Sequence, residues 1–155
     1  MSKGRKISKY TNSSITDVKI RFNGETFKFN LAEELSINEA KLNDELKEQP
    51  SYYGFMKMLQ ARLLTVKEDL ERQADKTYAS KYLKAAEAIN PTTNRVYSDK
   101  AAIQKALANE DYNKILEKSI KAKEDYNIVD ACVRSFEQRA SLIQTLAANM
   151  RRENQ

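Results

Sequence analysis

The chain has 155 residues, enough for one domain with a buried core, and is 41% hydrophobic and 32% charged. It contains no histidine, which removes the commonest general base and the commonest metal ligand, and its single Cys132 cannot close an internal disulfide. Three glycines and two prolines leave few sites for tight turns, so few, long helices with one buried stripe and a large solvated face are expected.

No apolar run approaches the ~20 residues that span a bilayer, and charges stand where a signal peptide needs an apolar core. A cytoplasmic protein without a membrane partner is expected. The net charge of +5 is unevenly placed. Residues 1–30 hold Lys3, Arg5, Lys6, Lys9, Lys19, Arg21 and Lys28 against Asp17 and Glu25, so the remainder balances to zero. The basicity belongs to an N-terminal arm.

Residues 1–14 are polar and lack periodicity, the pattern of a mobile basic arm. Residues 15–31 read as a β-hairpin, because Asn23-Gly24 separates two alternating runs and both turn residues need positive φ. A two-residue turn sets Ile20 opposite Phe27 and Val18 opposite Phe29 on one face, and turns Lys19, Arg21 and Lys28 to the other. An isolated hairpin is marginal in water, so its apolar face must dock on helices or on another subunit. Lys19 opposite Lys28 repels unless an anion such as phosphate lies there.

Residues 31–49 suggest one or two short helices, with Ser36 as N-cap and Glu39 completing a capping box. After Pro50 a longer helix, about 51–89, is expected from the spacing of Met56, Leu59, Leu63, Val66, Leu70, Ala74 and Tyr78. Residues 89–97 read as a loop, since Pro91 disfavours helix at Asn90. Ser98 caps a short helix to about Ala108. In the last segment, about 110–152, the stripe Ala122, Tyr126, Val129, Val133, Phe136, Ala140, Ile143, Ala147 and Met150 holds 4-3 spacing for four heptads. Such a stripe packs either inside its own domain or against other copies. Its length, roughly 40 Å at about 1.5 Å per residue, and its alternation of small and large residues favour self-association. Leu142 and Leu146 add a second apolar flank.

No phosphate-cradling glycine loop, CxxC pair or nucleophile with a base is present, so neither catalysis, nor a cofactor, nor a metal is expected. Glu33-Glu34 and Glu110-Asp111 stand where helix starts favour negative charge. Cys132 reads as a small buried hydrophobe. Two basic features suit nucleic acid. One is the arm with the Lys19/Arg21/Lys28 face, which could equally be a solubilising tail. The other is Arg72, Lys76, Lys81 and Lys84 interleaved with Tyr78 and Tyr82, since cations neutralise phosphates and exposed rings stack on bases. Tyr78 and Tyr82 also continue the buried stripe, which favours a core role for them.

The segment Ala106-Leu107-Ala108-Asn109-Glu110-Asp111, with Ile128-Val129-Asp130-Ala131-Cys132, Arg139, Ile143 and Met150-Arg151, resembles the C-terminal half of the phage recombination mediators of the UvsY type. Residues Leu42 to Phe55 and the basic helix after them resemble the entry to that family's central helices, so the likeness covers roughly residues 40–152. It implies a non-enzymatic protein that binds single-stranded DNA as a ring-like homo-oligomer formed through its C-terminal helix. Its partners would be a RecA-like recombinase, loaded onto DNA covered by single-strand-binding protein, and itself. Residues Lys76 to Lys84 fall where that family contacts DNA, without its Gly-containing turn or compact basic-Tyr-Tyr arrangement. The arm and hairpin are additions to the pattern.

The fold expected is mainly α: long antiparallel helices with an N-terminal hairpin, residues 32–155 forming a helical DNA-binding and oligomerisation domain in the cytoplasm of the host cell if phage-encoded. A non-catalytic coiled-coil adaptor or assembly protein with a solubilising arm is the alternative from another class.

Overall fold

The computed structural model describes residues 16–153. The arm, with Lys3, Arg5, Lys6 and Lys9, therefore lies outside the described residues. The chain is mainly helical, with an N-terminal two-stranded antiparallel hairpin and two long helices. It divides into two units, the first Met1–Ala61 with Asn127–Gln155 and the second Arg62–Tyr126.

In the first unit, β1 (Asp17–Phe22) pairs with β2 (Glu25–Asn30) in the expected register, Val18 against Phe29, Lys19 against Lys28 and Ile20 against Phe27. Asn23 and Gly24 adopt φ of 49° and 82°, the two positive values that a right-twisted two-residue hairpin demands. Val18 and Ile20 are buried, and the Phe27 ring meets Phe55 at 5.5 Å between centroids. The hairpin thus docks its apolar face on the helical part of its own chain, which supplies the burial that two strands alone lack.

The short helix α1 (Leu31–Glu34) is capped by Asn30, whose side chain accepts from the backbone of Ala32 and Glu33. Ser36 is not a helix cap. Its hydroxyl donates back to the Glu33 carbonyl at 2.7 Å. Asn38 takes the capping role instead, accepting from Ala40, while its own N–H donates to the Glu45 carboxylate. From there a single 3-10 turn, Glu39–Lys41, runs directly into α2 (Leu42–Glu87).

Pro50 therefore lies inside α2, and the boundary expected there is absent. An interior proline forfeits one backbone hydrogen bond and costs about 3 kcal/mol. Tertiary anchors offset this. Leu42 and Gln49 before the proline and Met56 after it are buried, and the Gln49 amide donates 2.9 Å to the Phe136 carbonyl. Beyond Pro50, Met56, Leu59 and Leu63 are buried as their spacing predicts, whereas Val66 is exposed.

The second half of α4 (Glu110–Glu153) runs antiparallel to the first part of α2 within this unit. Gln60 pairs with Asp130 at 2.6 Å, Tyr53 with Glu137 at 2.7 Å, and Gln49 with Phe136. Val129, Cys132, Val133, Phe136 and Ile143 are each at most 1% exposed. The Tyr52 ring stacks over Phe136 at 6.3 Å. Burial raises the Cys132 thiol above its ordinary pKa.

In the second unit the rest of α2 faces the first half of α4. Ala74, Ala85 and Ala122 are buried, and small residues at these positions permit close helix approach. α2 ends at Glu87. The expected loop contains a small antiparallel ladder, β3 (Ile89–Asn90) with β4 (Arg95–Val96), pairing Ile89 with Val96. The polar cluster builds this turn. Asn90 Oδ1 accepts from Thr92, Asn94 sits at φ 53° and donates to the Asn90 carbonyl, and Tyr97 donates to Ala88. α3 (Asp99–Leu107) is capped by Ser98 as expected and buries Ala102 and Ala106. Asn109 caps α4 by accepting from Asp111 and Tyr112.

Candidate nucleic-acid interface

A site for phosphate needs cations that the fold itself leaves uncompensated. The outer face of the hairpin meets this condition. Lys19, Arg21 and Lys28 are exposed, Lys19 and Lys28 are direct cross-strand partners, and no carboxylate among the described residues pairs with any of the three. Strand alternation fixes the arrangement, because the same pleat that buries Val18 and Ile20 turns the cations outward. The nearby Asp17 carboxylate accepts from the Asn30 amide at 2.8 Å. Like charges opposed on adjacent strands cost free energy that a bound anion would recover.

The second candidate stretch is spent differently. Arg72 pairs with Asp69 at 2.5 Å, and this contact, with a second from Gln73, holds the Asp69 carboxyl below the usual carboxylate range. Lys81 pairs with Asp111 at 2.5 Å and lowers that carboxyl likewise. The Tyr82 hydroxyl donates to Asp99 at 2.5 Å, and a phenol hydrogen-bonded to a carboxylate is harder to ionise, so its pKa rises. Tyr78 lies between Tyr82 and Tyr112, at 6.5 and 5.5 Å. Tyr78 and Tyr82 are half-buried and occupied with their own unit, as continuation of the stripe had favoured. Lys76 and Lys84 remain exposed. The structure therefore engages Arg72, Lys81, Tyr78 and Tyr82 in contacts within the second unit, and leaves Lys76 and Lys84 exposed.

Comparison with protein-family models, with curated proteins and with solved structures gives no match.

The α4 residues expected to meet other copies are largely covered by the chain itself. Val129, Val133, Phe136 and Ile143 are buried, Ala140 and Ala147 are half-buried, and Tyr126 is half-buried under the Lys67 ammonium at 5.8 Å. Met150 is exposed, as is Leu142 on the flank.

One polar cluster was not anticipated. Arg139 is 9% exposed, and its guanidinium donates to the Gln49 side chain, to the Glu45 carboxylate and, at 3.0 Å, to the Ser36 carbonyl. The Asn38 N–H, then the Arg139 guanidinium, hold the Glu45 carboxyl below its ordinary value. The available signal was an arginine three residues after Phe136 and four before Ile143, too close to the stripe to be a solvated charge. Among the described residues no group of three His, Cys, Asp or Glu side chains is placed to hold a metal ion, and no helix is long and apolar enough to cross a membrane.

Proposed function

We propose that this chain is a non-catalytic recombination mediator of the UvsY type. In this reading it binds single-stranded DNA as a homo-oligomer and helps a RecA-like recombinase assemble on DNA covered by single-strand-binding protein. The supporting observation is the uncompensated Lys19/Arg21/Lys28 face, which continues in sequence from an arm bearing Lys3, Arg5, Lys6 and Lys9. Phosphate contacts from such a face are sequence-independent and release counterions, so affinity falls with salt. Repetition of the face around a ring-like assembly multiplies weak contacts through effective concentration. Lys76 and Lys84, exposed in the second unit, would add phosphate contacts of their own, while Tyr78 and Tyr82 support the fold.

Fluorescence anisotropy with a labelled oligonucleotide tests this reading. Lys19→Glu/Arg21→Glu/Lys28→Glu should lower affinity at least tenfold at low salt with the protein's mass unchanged. Equal binding by the variant would remove the hairpin from the interface.

The internal pairing of Arg72, Lys81 and Tyr82 favours a second reading, a helical adaptor or assembly protein with a solubilising arm. Absence of any DNA binding at low salt by the intact oligomer would select it.

A further inference from the structure

Among the apolar surfaces that the described residues leave partly uncovered, one in each unit pairs with the other in the sign of its charged surroundings, which are opposite. In the second unit the β3–β4 ladder holds Ile89 and Val96 side by side at 62% and 63% exposure. Burial within the unit does not account for this β-branched pair, yet the turn that presents it is tightly specified by Asn90, Asn94 and the Tyr97–Ala88 bond. Arg95, Val96 and Tyr97 line one cleft of about 500 Å³, and the Lys105 ammonium lies 3.9 Å over the Tyr97 ring. No carboxylate among the described residues pairs with Arg95 or Lys105.

In the first unit Tyr52 and Phe55, three residues apart on α2, are 45% and 44% exposed. Tyr52 also borders a cleft of about 170 Å³ with Glu33, Glu34 and Glu48. The Arg139–Glu45 pair at that cleft is internally neutral, and no cation among the described residues pairs with Glu33, Glu34 or Glu48.

We infer that the Ile89–Val96 ladder of one copy docks on the Tyr52–Phe55 surface of the next, with Arg95 and Lys105 facing Glu34 and Glu48. The occupant is a second copy because this one chain presents both halves of the match, an apolar pair rimmed by cations and an aromatic pair rimmed by carboxylates. Nucleic acid fits the ladder less well, since aliphatic Ile89 and Val96 offer no ring to stack on a base and Tyr97 is already capped by Lys105. The two surfaces differ, so the contact is heterologous and head-to-tail, the kind that generates a ring when its rotation closes. This rests on the self-association proposed above and relocates it from the α4 stripe.

Light scattering coupled to size exclusion, on the full chain, tests the inference with two charge-reversed variants. Glu34→Lys/Glu48→Lys reverses one face and Arg95→Glu/Lys105→Glu the other. The wild type should run above the 17.8 kDa of one chain, and each variant alone should fall to that mass. An equimolar mixture should regain the higher mass, because every contact between unlike variants pairs opposite charges. Ile89→Ser/Val96→Ser, at exposed positions that folding does not need, should also give the monomer, with helical circular dichroism retained in all variants. A monomeric wild type would overturn self-association and this inference together. An oligomer that persists in the variants, a mixture that stays monomeric, or dissociation caused by deleting residues 1–14 alone would overturn this contact and leave self-association standing.

Discussion

Replacing Arg139 by alanine perturbs the first unit at one well-defined point. The guanidinium is the shared donor for Gln49 Oε1, the Glu45 carboxylate and the Ser36 carbonyl, linking α4 to the start of α2 and to the segment before it. Its removal strands a carboxylate whose side chain is 17% exposed and an amide oxygen in a buried residue. Breaking a buried ion pair from one side costs about 3–5 kcal/mol. Glu45 keeps the Asn38 N–H and some water, which places the loss near the lower bound, about 3 kcal/mol. For a chain of this size that lowers Tm by roughly 6–12 °C. Thermal melts followed by far-ultraviolet circular dichroism measure it. Arg139→Met/Glu45→Leu, which removes both charges, should regain much of the loss.

The pH dependence has a definite sign. Glu45 has a depressed folded pKa, so its contribution is complete above the ordinary glutamate pKa and is lost as pH falls through the lowered folded value. The gap between wild type and Arg139→Ala should therefore narrow only in that acidic window. An Arg139→Ala melt within about 2 °C of wild type at neutral pH would refute the reasoning, showing the cluster to be solvated and weak.

Pro50→Ala should stabilise by about 1–2 kcal/mol in urea denaturation, because the restored N–H can complete a helix that already runs through this position. Destabilisation would mean that the backbone there depends on the proline. Gly24→Ala, at φ 82°, should cost about 1 kcal/mol in the same assay. Ile143→Asp should abolish the cooperative melt, since residue 143 is fully buried within one chain. A folded Ile143→Asp protein of smaller mass would instead place the stripe at an interface between copies.

The hairpin was legible to the residue because its signal is local: Asn23-Gly24 dictates the turn and alternation dictates the faces. The long helices were legible from period and the Ser98 cap from residue type. What escaped depended on distant partners. Pro50 signalled a boundary that Gln49, held by Phe136 and Arg139 from across the unit, overrides. Ser36 and Asn38 are both competent caps, and the contact from Asn38 to Glu45 favours Asn38. The α4 stripe showed that a partner was required without saying which, and α2 of the same chain fills much of that role. Asp69, one helical turn before Arg72, was a partner that spacing offered, whereas the spacing of Lys81 and Tyr82 could not reveal that Asp111 and Asp99 engage them.

The central claim, that the protein grips single-stranded DNA through cations the fold leaves unpaired, is tested most directly by titrating a labelled oligonucleotide with wild type and with Lys19→Glu/Arg21→Glu/Lys28→Glu across a salt series. Wild-type affinity should fall steeply with salt, and the slope should be shallower in the variant by up to about 2, since each of three lost phosphate contacts on a single strand contributes about 0.7. Identical slopes and affinities for the two proteins would contradict it.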